Sequence, residues 1–216
     1  MPDDRKPNTK KRYANLMEEA KQRIVIIDHA LNGRTGLPSP FVREFCWLQL
    51  RMLCEVIAVG CLVAHGDIAL FQPRKVTKET SAEDILKRLS NLRPHFFPVA
   101  YIPTKKSKPV PHTHIEPMKP EPLTKDDLLT LYGKTHRHLH RGSLKTIMAL
   151  DEERPSLDTK IDAPMIAKWL DRLKRLLDVH HISISDEEQI ICVLGRVNAH
   201  VQVATLEPHS MPGVQF

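Results

Sequence analysis

The sequence predicts a mainly α-helical (α+β) protein, a single bundle of five helices with a small C-terminal antiparallel β-hairpin or three-stranded sheet. Apolar residues recur at helical spacing in five segments before residue 180. After Val179 the period changes to two, in "HISIS", "QIICVLG" and "HVQVATLE". A chain of 216 residues, with no evident internal repeat, is long enough for one sizeable core and short for two.

The expected domain organisation follows from composition along the chain. Residues 1–12 form a basic, flexible N-terminal arm, residues 13–180 form the helical bundle, residues 181–208 form a β-meander packed on it, and residues 209–216 form a tail. Seven of the 17 prolines fall in residues 98–122, which predicts a long loop or an irregular extended excursion within the bundle.

The first two predicted helices have recognisable ends. Helix 8–32 stops at Asn32-Gly33, because both residues tolerate the left-handed conformation. Helix 40–65 starts after Ser39, whose side chain is a good N-cap, and Pro40 suits the first helical position.

Helix 40–65 is apolar enough to be mistaken for a membrane span. Arg51 and Glu55 interrupt it, and its longest uncharged run, residues 56–64, is far shorter than the about 20 residues that a span requires. We therefore expect a central core helix and no membrane association. Three of the four cysteines lie on it without a CxxC pair, which is typical of buried thiols in a reducing, cytoplasmic compartment.

Three further helices complete the predicted bundle. Ser81 is the expected cap of helix 81–92. Thr124, with Asp127 three residues later, begins a helix that stops at Gly142. Asp162 is the expected cap of the last helix.

The densest chemistry lies in "GKTHRHLHRG", residues 133–142. His136 and His140 stand four residues apart, which is half of a zinc site. The glutamate of an HExxH motif is missing, because Arg137 occupies its place. We therefore predict no metal site, with His136 and His140 as the ligands of any metal that does bind. The absence of GxGxxG, P-loop and GxSxG motifs predicts no cofactor.

Basic residues at four-residue spacing suggest a second interpretation of this stretch. Arg137, Arg141 and Lys145 form one positive stripe on a helix, and such a stripe suits RNA phosphates or another anionic ligand. The same residues suit the C-terminal turn of any helix, where cations meet the macrodipole. An ordinary solvated helix end, with a buried His140, is therefore the alternative. Only 5% of residues are aromatic, which disfavours binding by base stacking.

A polar stripe also marks the second helix. Arg43, Trp47, Arg51 and Glu55 follow each other at intervals of four residues and share one face. Arg51 and Glu55 are expected to pair on it.

Four segments together resemble a family of uncharacterised bacterial proteins: "LRMLCEVIAVGCLVAHGDI", "LRPHFFPV", "LYGKTHRHLHRG" and "HHISISDEEQIICVLG". Members share an AHGDI-like helix end, an LHP-x-F-x-P-like turn, an LY…LHRG helix and a closing β-hairpin, and the resemblance implies an architecture without an activity. More remotely, "LYGKTHRHLHRG" is similar to the Y-x-x-x-S-x-x-x-H helix of HEPN-like bundles, with Tyr132 and His140 at matching positions and His136 in place of the serine. The arginine of active members is missing.

The more remote similarity to HEPN-like bundles leads to the first hypothesis, a cytoplasmic HEPN-like module that binds RNA or a partner protein without strong catalysis. The expected ligand-binding residues are Tyr132, Arg137, Arg141, Arg51, Glu55 and His65. One alternative is a metal-independent ribonuclease of stress or defence type, with His140 and Lys134 as catalytic residues. Another is a structural protein that forms homodimers through the edge of its β-hairpin.

Overall fold

The computed structural model describes residues 6–65, 81–93, 95–104, 114–139, 162–184, 189–196 and 198–206. These ranges contain five helices and five strands, so the mainly α class and the five predicted helices are confirmed. In chain order the elements are α1 (Lys6–Leu31), α2 (Ser39–Ala64), α3 (Ala82–Leu92), β1 (Val99–Thr104), β2 (His114–Pro117), α4 (Lys125–Leu139), α5 (Ala163–Leu177), β3 (Val179–Ser183), β4 (Gln189–Val193) and β5 (Gln202–Leu206).

Helix α2 is the central element of the bundle. It packs against α1, α3, α4 and α5. Its three cysteines are buried, and so is the fourth cysteine of the chain, which lies in β4. Its closest neighbour is α1, which approaches at Gly60: a Cβ there would lie 3.2 Å from Met17 Cε and 3.3 Å from Tyr13 Cε2. Within the described ranges, Phe41–Ala64 is the one segment long and apolar enough to cross a membrane, and 56% of its apolar window is buried inside the protein. Much of its apolarity therefore serves the core.

The sheet is larger than predicted. It has five antiparallel strands in the order β2-β1-β3-β4-β5. Its first two strands come from residues 98–122, so the expectation of a loop throughout that segment was wrong. Proline is tolerated there because β2 is an outer strand and because Pro103 of β1 pairs only with β2, beyond the short ladder between β1 and β3.

The β3–β4 hairpin lies in the middle of this sheet. Strand β1 pairs along β3, and β5 pairs along β4. Both edges of the β3–β4 hairpin are thus occupied, so association through a strand edge, which stays a prediction, would use one of the outer strands of the sheet. In the described part of the sheet the outer strands are β2 and β5.

Several predicted boundaries and caps can be compared with the structure. Helix α1 begins at Lys6, inside the segment expected to be an arm, and the meander begins at Val179 rather than residue 181. Ser39 is the first residue of α2, with Pro38 in the cap position, so its prediction as N-cap was wrong. Ser81 caps as predicted, accepting from the Asp84 amide at 3.1 Å.

Helix α4 begins with the predicted reciprocal cap. The Asp127 amide donates to Thr124 Oγ1 at 3.2 Å, and the Thr124 amide donates to Asp127 Oδ2 at 3.0 Å. The predicted stop of this helix at Gly142, the tail 209–216 and the interior of the proline-rich segment, residues 105–113, lie outside the described residues.

Candidate functional site

The polar stripe of α2 lies along α4 and forms two clusters with it. In the first cluster, Arg51 Nη2 donates to Tyr132 Oη at 2.7 Å, and the Tyr132 hydroxyl donates to Glu55 Oε1 at 3.3 Å. Arg51 Nε lies 3.2 Å from Glu55 Oε1, so the predicted ion pair is confirmed. The guanidinium carbon also lies 4.4 Å from the centroid of the Tyr132 ring. Three of the predicted site residues are thus brought together.

Tyr132 is suited to hold this cluster rather than to exchange a proton. Burial raises the pKa of its phenol, and the nearby Glu55 carboxylate acts in the same direction against Arg51. The hydroxyl therefore stays protonated near neutral pH and continues to donate to Glu55.

The second cluster surrounds His138, one residue before the end of the described part of α4. Its ring stacks on the indole of Trp47, with centroids 3.9 Å apart and planes inclined by 5°. Arg43 Nη2 donates to His138 Nδ1 at 2.9 Å. This geometry requires Nδ1 to be an acceptor, so the neutral ring carries its proton on Nε2.

Asp162 closes the second cluster from the start of α5. Its carboxylate accepts from Arg43 Nε and, at 3.2 Å, from Trp47 Nε1. Asp162 occupies the N-cap position of α5, as predicted, but its side chain makes no cap hydrogen bond. Burial opposes its ionisation, but the hydrogen bonds from Arg43 and Trp47 outweigh that effect and hold the pKa of Asp162 below its ordinary value.

The electrostatic environment of His138 is positive. Burial lowers the pKa of the imidazole; Asp162 acts against this, while the positive charges of Arg43, Arg137 and Lys134 lower the pKa further. Among the described residues, three cations thus act on His138 against the carboxylate of Asp162.

The positive region continues onto α5. Lys134 Nζ lies 5.6 Å from the centroid of the Trp169 ring, and the Arg172 guanidinium carbon lies 4.8 Å from the same centroid. Arg172 is also paired with Asp127. Arg137 is exposed on α4. We call Lys134, Arg137 and Arg172 the α4–α5 basic face.

The remaining predicted residues divide into two groups. His140 and Arg141 lie outside the described residues, and so does any pairing of His140 with Lys134. His65 lies ten residues beyond Glu55, about 15 Å along α2 at 1.5 Å per residue. It is buried, its Nδ1 lies 2.7 Å from the Cys61 carbonyl, and burial lowers its pKa. His65 is therefore not a neighbour of Tyr132.

The described ranges contain no set of side chains that could complete a metal site. His136 is exposed on α4, and no group of three histidine, cysteine, aspartate or glutamate side chains in those ranges is arranged to hold an ion. The expectation of no metal site stays a prediction, because His140 lies outside these ranges.

Sequence reasoning missed the roles of Arg43, Trp47, His138 and Asp162. The stripe with a tryptophan between two arginines was the available signal, since it placed Arg43 and Trp47 on one face of α2. Nothing local connects that stripe to Asp162, which lies 115 residues beyond Trp47.

Searches of protein-family models, of curated proteins and of solved structures each returned no match.

Proposed function

We propose that this protein is a cytoplasmic, HEPN-like helical module that binds RNA through the α4–α5 basic face without strong catalysis. The observation that carries the proposal is the concentration of positive charge at the end of α4. Lys134 of α4 and Arg172 of α5 lie 5.6 Å and 4.8 Å from the centroid of the same Trp169 ring, and Arg137 is exposed one turn beyond Lys134 on α4.

The chemistry of this face favours the phosphate backbone as the ligand. Lysine and arginine bind phosphates through charge and hydrogen bonding, and such contacts do not depend on sequence. The nearby indoles are not available for base stacking, because Trp47 is 0% exposed and Trp169 is 7% exposed. We therefore expect binding that depends strongly on salt and weakly on sequence.

The arrangement of ionisable groups argues against strong catalysis. A general base must be free to take a proton. Glu55 is held by Arg51 and Tyr132, and the neutral His138 accepts from Arg43. The ribonuclease alternative depends on His140. Equal rates of RNA cleavage by the wild type and a His140→Ala variant are expected, and a loss of cleavage in the variant would favour the ribonuclease.

The proposal is tested by fluorescence anisotropy with an unstructured, labelled oligouridine over about 50 to 200 mM salt. The test variant is Lys134→Ala/Arg137→Ala. The matched control is Lys87→Ala/Lys119→Ala, which removes the same charge from exposed positions on α3 and beside β2. The slope of log K against log salt is negative, and each lost phosphate contact reduces its magnitude by about 0.7 for a single strand. The magnitude of the slope should therefore fall by about 1.4 in the test variant.

Circular dichroism shows whether each variant remains folded. The proposal is supported if the affinity and the magnitude of the salt slope both decrease in the test variant and both stay at the wild-type value in the control. Equal losses in both variants would indicate that only net charge matters, and an unchanged slope in the test variant would remove the α4–α5 basic face from consideration.

A further inference from the structure

A second basic region lies away from α4, in a cavity between α1, α5 and the turn that follows β4. Its volume is about 520 Å³, within the range of pockets that hold small organic ligands. Ile24 of α1 and Leu194 after β4 contribute an apolar surface, and each is 6% exposed. The cavity therefore offers room and an apolar wall to a ligand of moderate size.

The polar lining is predominantly positive. Five lysine and arginine side chains line the cavity, against two carboxylates. The basic residues are Lys21, Arg34, Lys174, Arg175 and Arg196, and the acidic residues are Asp28 and Asp178. The excess of positive charge favours an anionic ligand.

Lys21 has a structural task in this wall. Its ammonium donates to the carbonyls of Leu194, at 3.3 Å, and Ala199, and it pairs with Glu18 at 2.9 Å. Three partners use its three protons. Lys21 thereby fastens the turn between β4 and β5 onto α1, and this turn supplies Arg196 to the cavity.

Three guanidinium groups form no ion pair within the described ranges, although the hydrogen bond from Lys174 and the charge of Arg34 both help to lower the pKa of Asp28. Lys174 pairs with Asp28 at 2.9 Å, but in the described ranges no carboxylate lies within 4 Å of Arg34, Arg175 or Arg196. The described hydrogen bond of Arg175 is to Met118 Sδ at 3.6 Å, and sulfur is a weak acceptor. All three arginines are exposed on the cavity rim.

We propose that this cavity binds a small organic phosphate with a hydroxylated body, such as a sugar phosphate or the ribose phosphate part of a nucleotide. The planar guanidinium forks of Arg34, Arg175 and Arg196 suit the oxygens of a phosphate monoester. The carboxylates of Asp28 and Asp178 accept hydrogen bonds from hydroxyl groups, and Ile24 and Leu194 cover the carbon atoms of the body. The residues of this site are distinct from the α4–α5 basic face.

The probes are ribose 5-phosphate, ribose and inorganic phosphate, titrated into the full chain by calorimetry. Nuclear magnetic resonance locates the site, with the amide of Gly195 in the cavity wall as the reporter. We expect ribose 5-phosphate to bind more tightly than inorganic phosphate or ribose and to shift the Gly195 signal. Equal affinity for ribose 5-phosphate and inorganic phosphate, or no binding, would overturn the assignment of an organic phosphate.

The variant Arg34→Gln/Arg196→Gln removes two exposed guanidinium groups from the rim. A charge-assisted hydrogen bond is worth about tenfold in affinity at the low end, so ribose 5-phosphate should bind at least tenfold more weakly. The variants Lys87→Gln/Lys119→Gln and Lys134→Ala/Arg137→Ala should bind it as the wild type does. Unchanged binding of ribose 5-phosphate by Lys134→Ala/Arg137→Ala would show that the cavity acts independently of the RNA-binding face. An equal loss of affinity in all three variants would refute a localised site.

Discussion

Acid should destabilise this protein through His180, a strand residue buried where β3 meets α1. The Tyr13 hydroxyl donates to His180 Nε2 at 2.7 Å, and His180 Nδ1 donates to the Leu177 carbonyl at 3.0 Å. Both ring nitrogens are satisfied in the neutral form. Burial lowers the pKa of His180 to about 4, and the neighbouring His181 acts in the same direction.

The pH range and magnitude follow from linkage. In the unfolded chain the imidazole has a pKa of about 6.5, so between about pH 6.5 and pH 4 the unfolded state binds more protons than the folded state. The contribution of His180 is fully present above this range and is lost as the pH falls through it. A pKa difference of about 2.5 units, at 1.36 kcal/mol per unit, corresponds to about 3 kcal/mol.

The assay is urea unfolding, followed by tryptophan fluorescence at several pH values from about 7.5 to 4. The variant His180→Gln keeps a neutral acceptor for Tyr13 but cannot be protonated. It should be less stable than the wild type at pH 7.5, and the difference in free energy of unfolding should shrink by about 3 kcal/mol toward pH 4.

A matched control separates the charge effect from the lost packing. Tyr13→Phe removes one hydrogen bond to His180 and keeps the buried imidazole, so it should lose about 1 kcal/mol and keep the wild-type dependence on pH. Parallel stability curves for the wild type and His180→Gln over the whole range would refute the reasoning.

Two further predictions concern the clusters between α2 and α4. Asp162→Asn should lower the free energy of unfolding by about 1 to 3 kcal/mol, measured by urea unfolding, because it removes the charge that pairs with Arg43; an unchanged midpoint would contradict this. Tyr132→Phe should cost about 1 kcal/mol by the same measurement, because Arg51 and Glu55 still pair without the hydroxyl. A loss well above that value would indicate that the hydroxyl holds the two residues together.

Local spacing was sufficient to predict all five helices. Each presents apolar residues at the helical period, and the Thr124–Asp127 cap follows from a separation of three residues. The strands β1 and β2 were missed because their segment is rich in proline and because β1 joins the sheet through a pairing that is distant in sequence. Ala100 pairs with His180, 80 positions later, and the prolines of residues 98–122 are common in loops.

The candidate site divides in the same way. The sequence by itself determined the Arg51–Glu55 pair and the shared face of Arg43 and Trp47, because residues four apart are neighbours on any helix. Only the tertiary structure decided that His138 stacks on Trp47 and that Asp162 pairs with Arg43. The physical reason is that contacts between helices depend on how whole faces pack together, and no spacing within one segment specifies its partner.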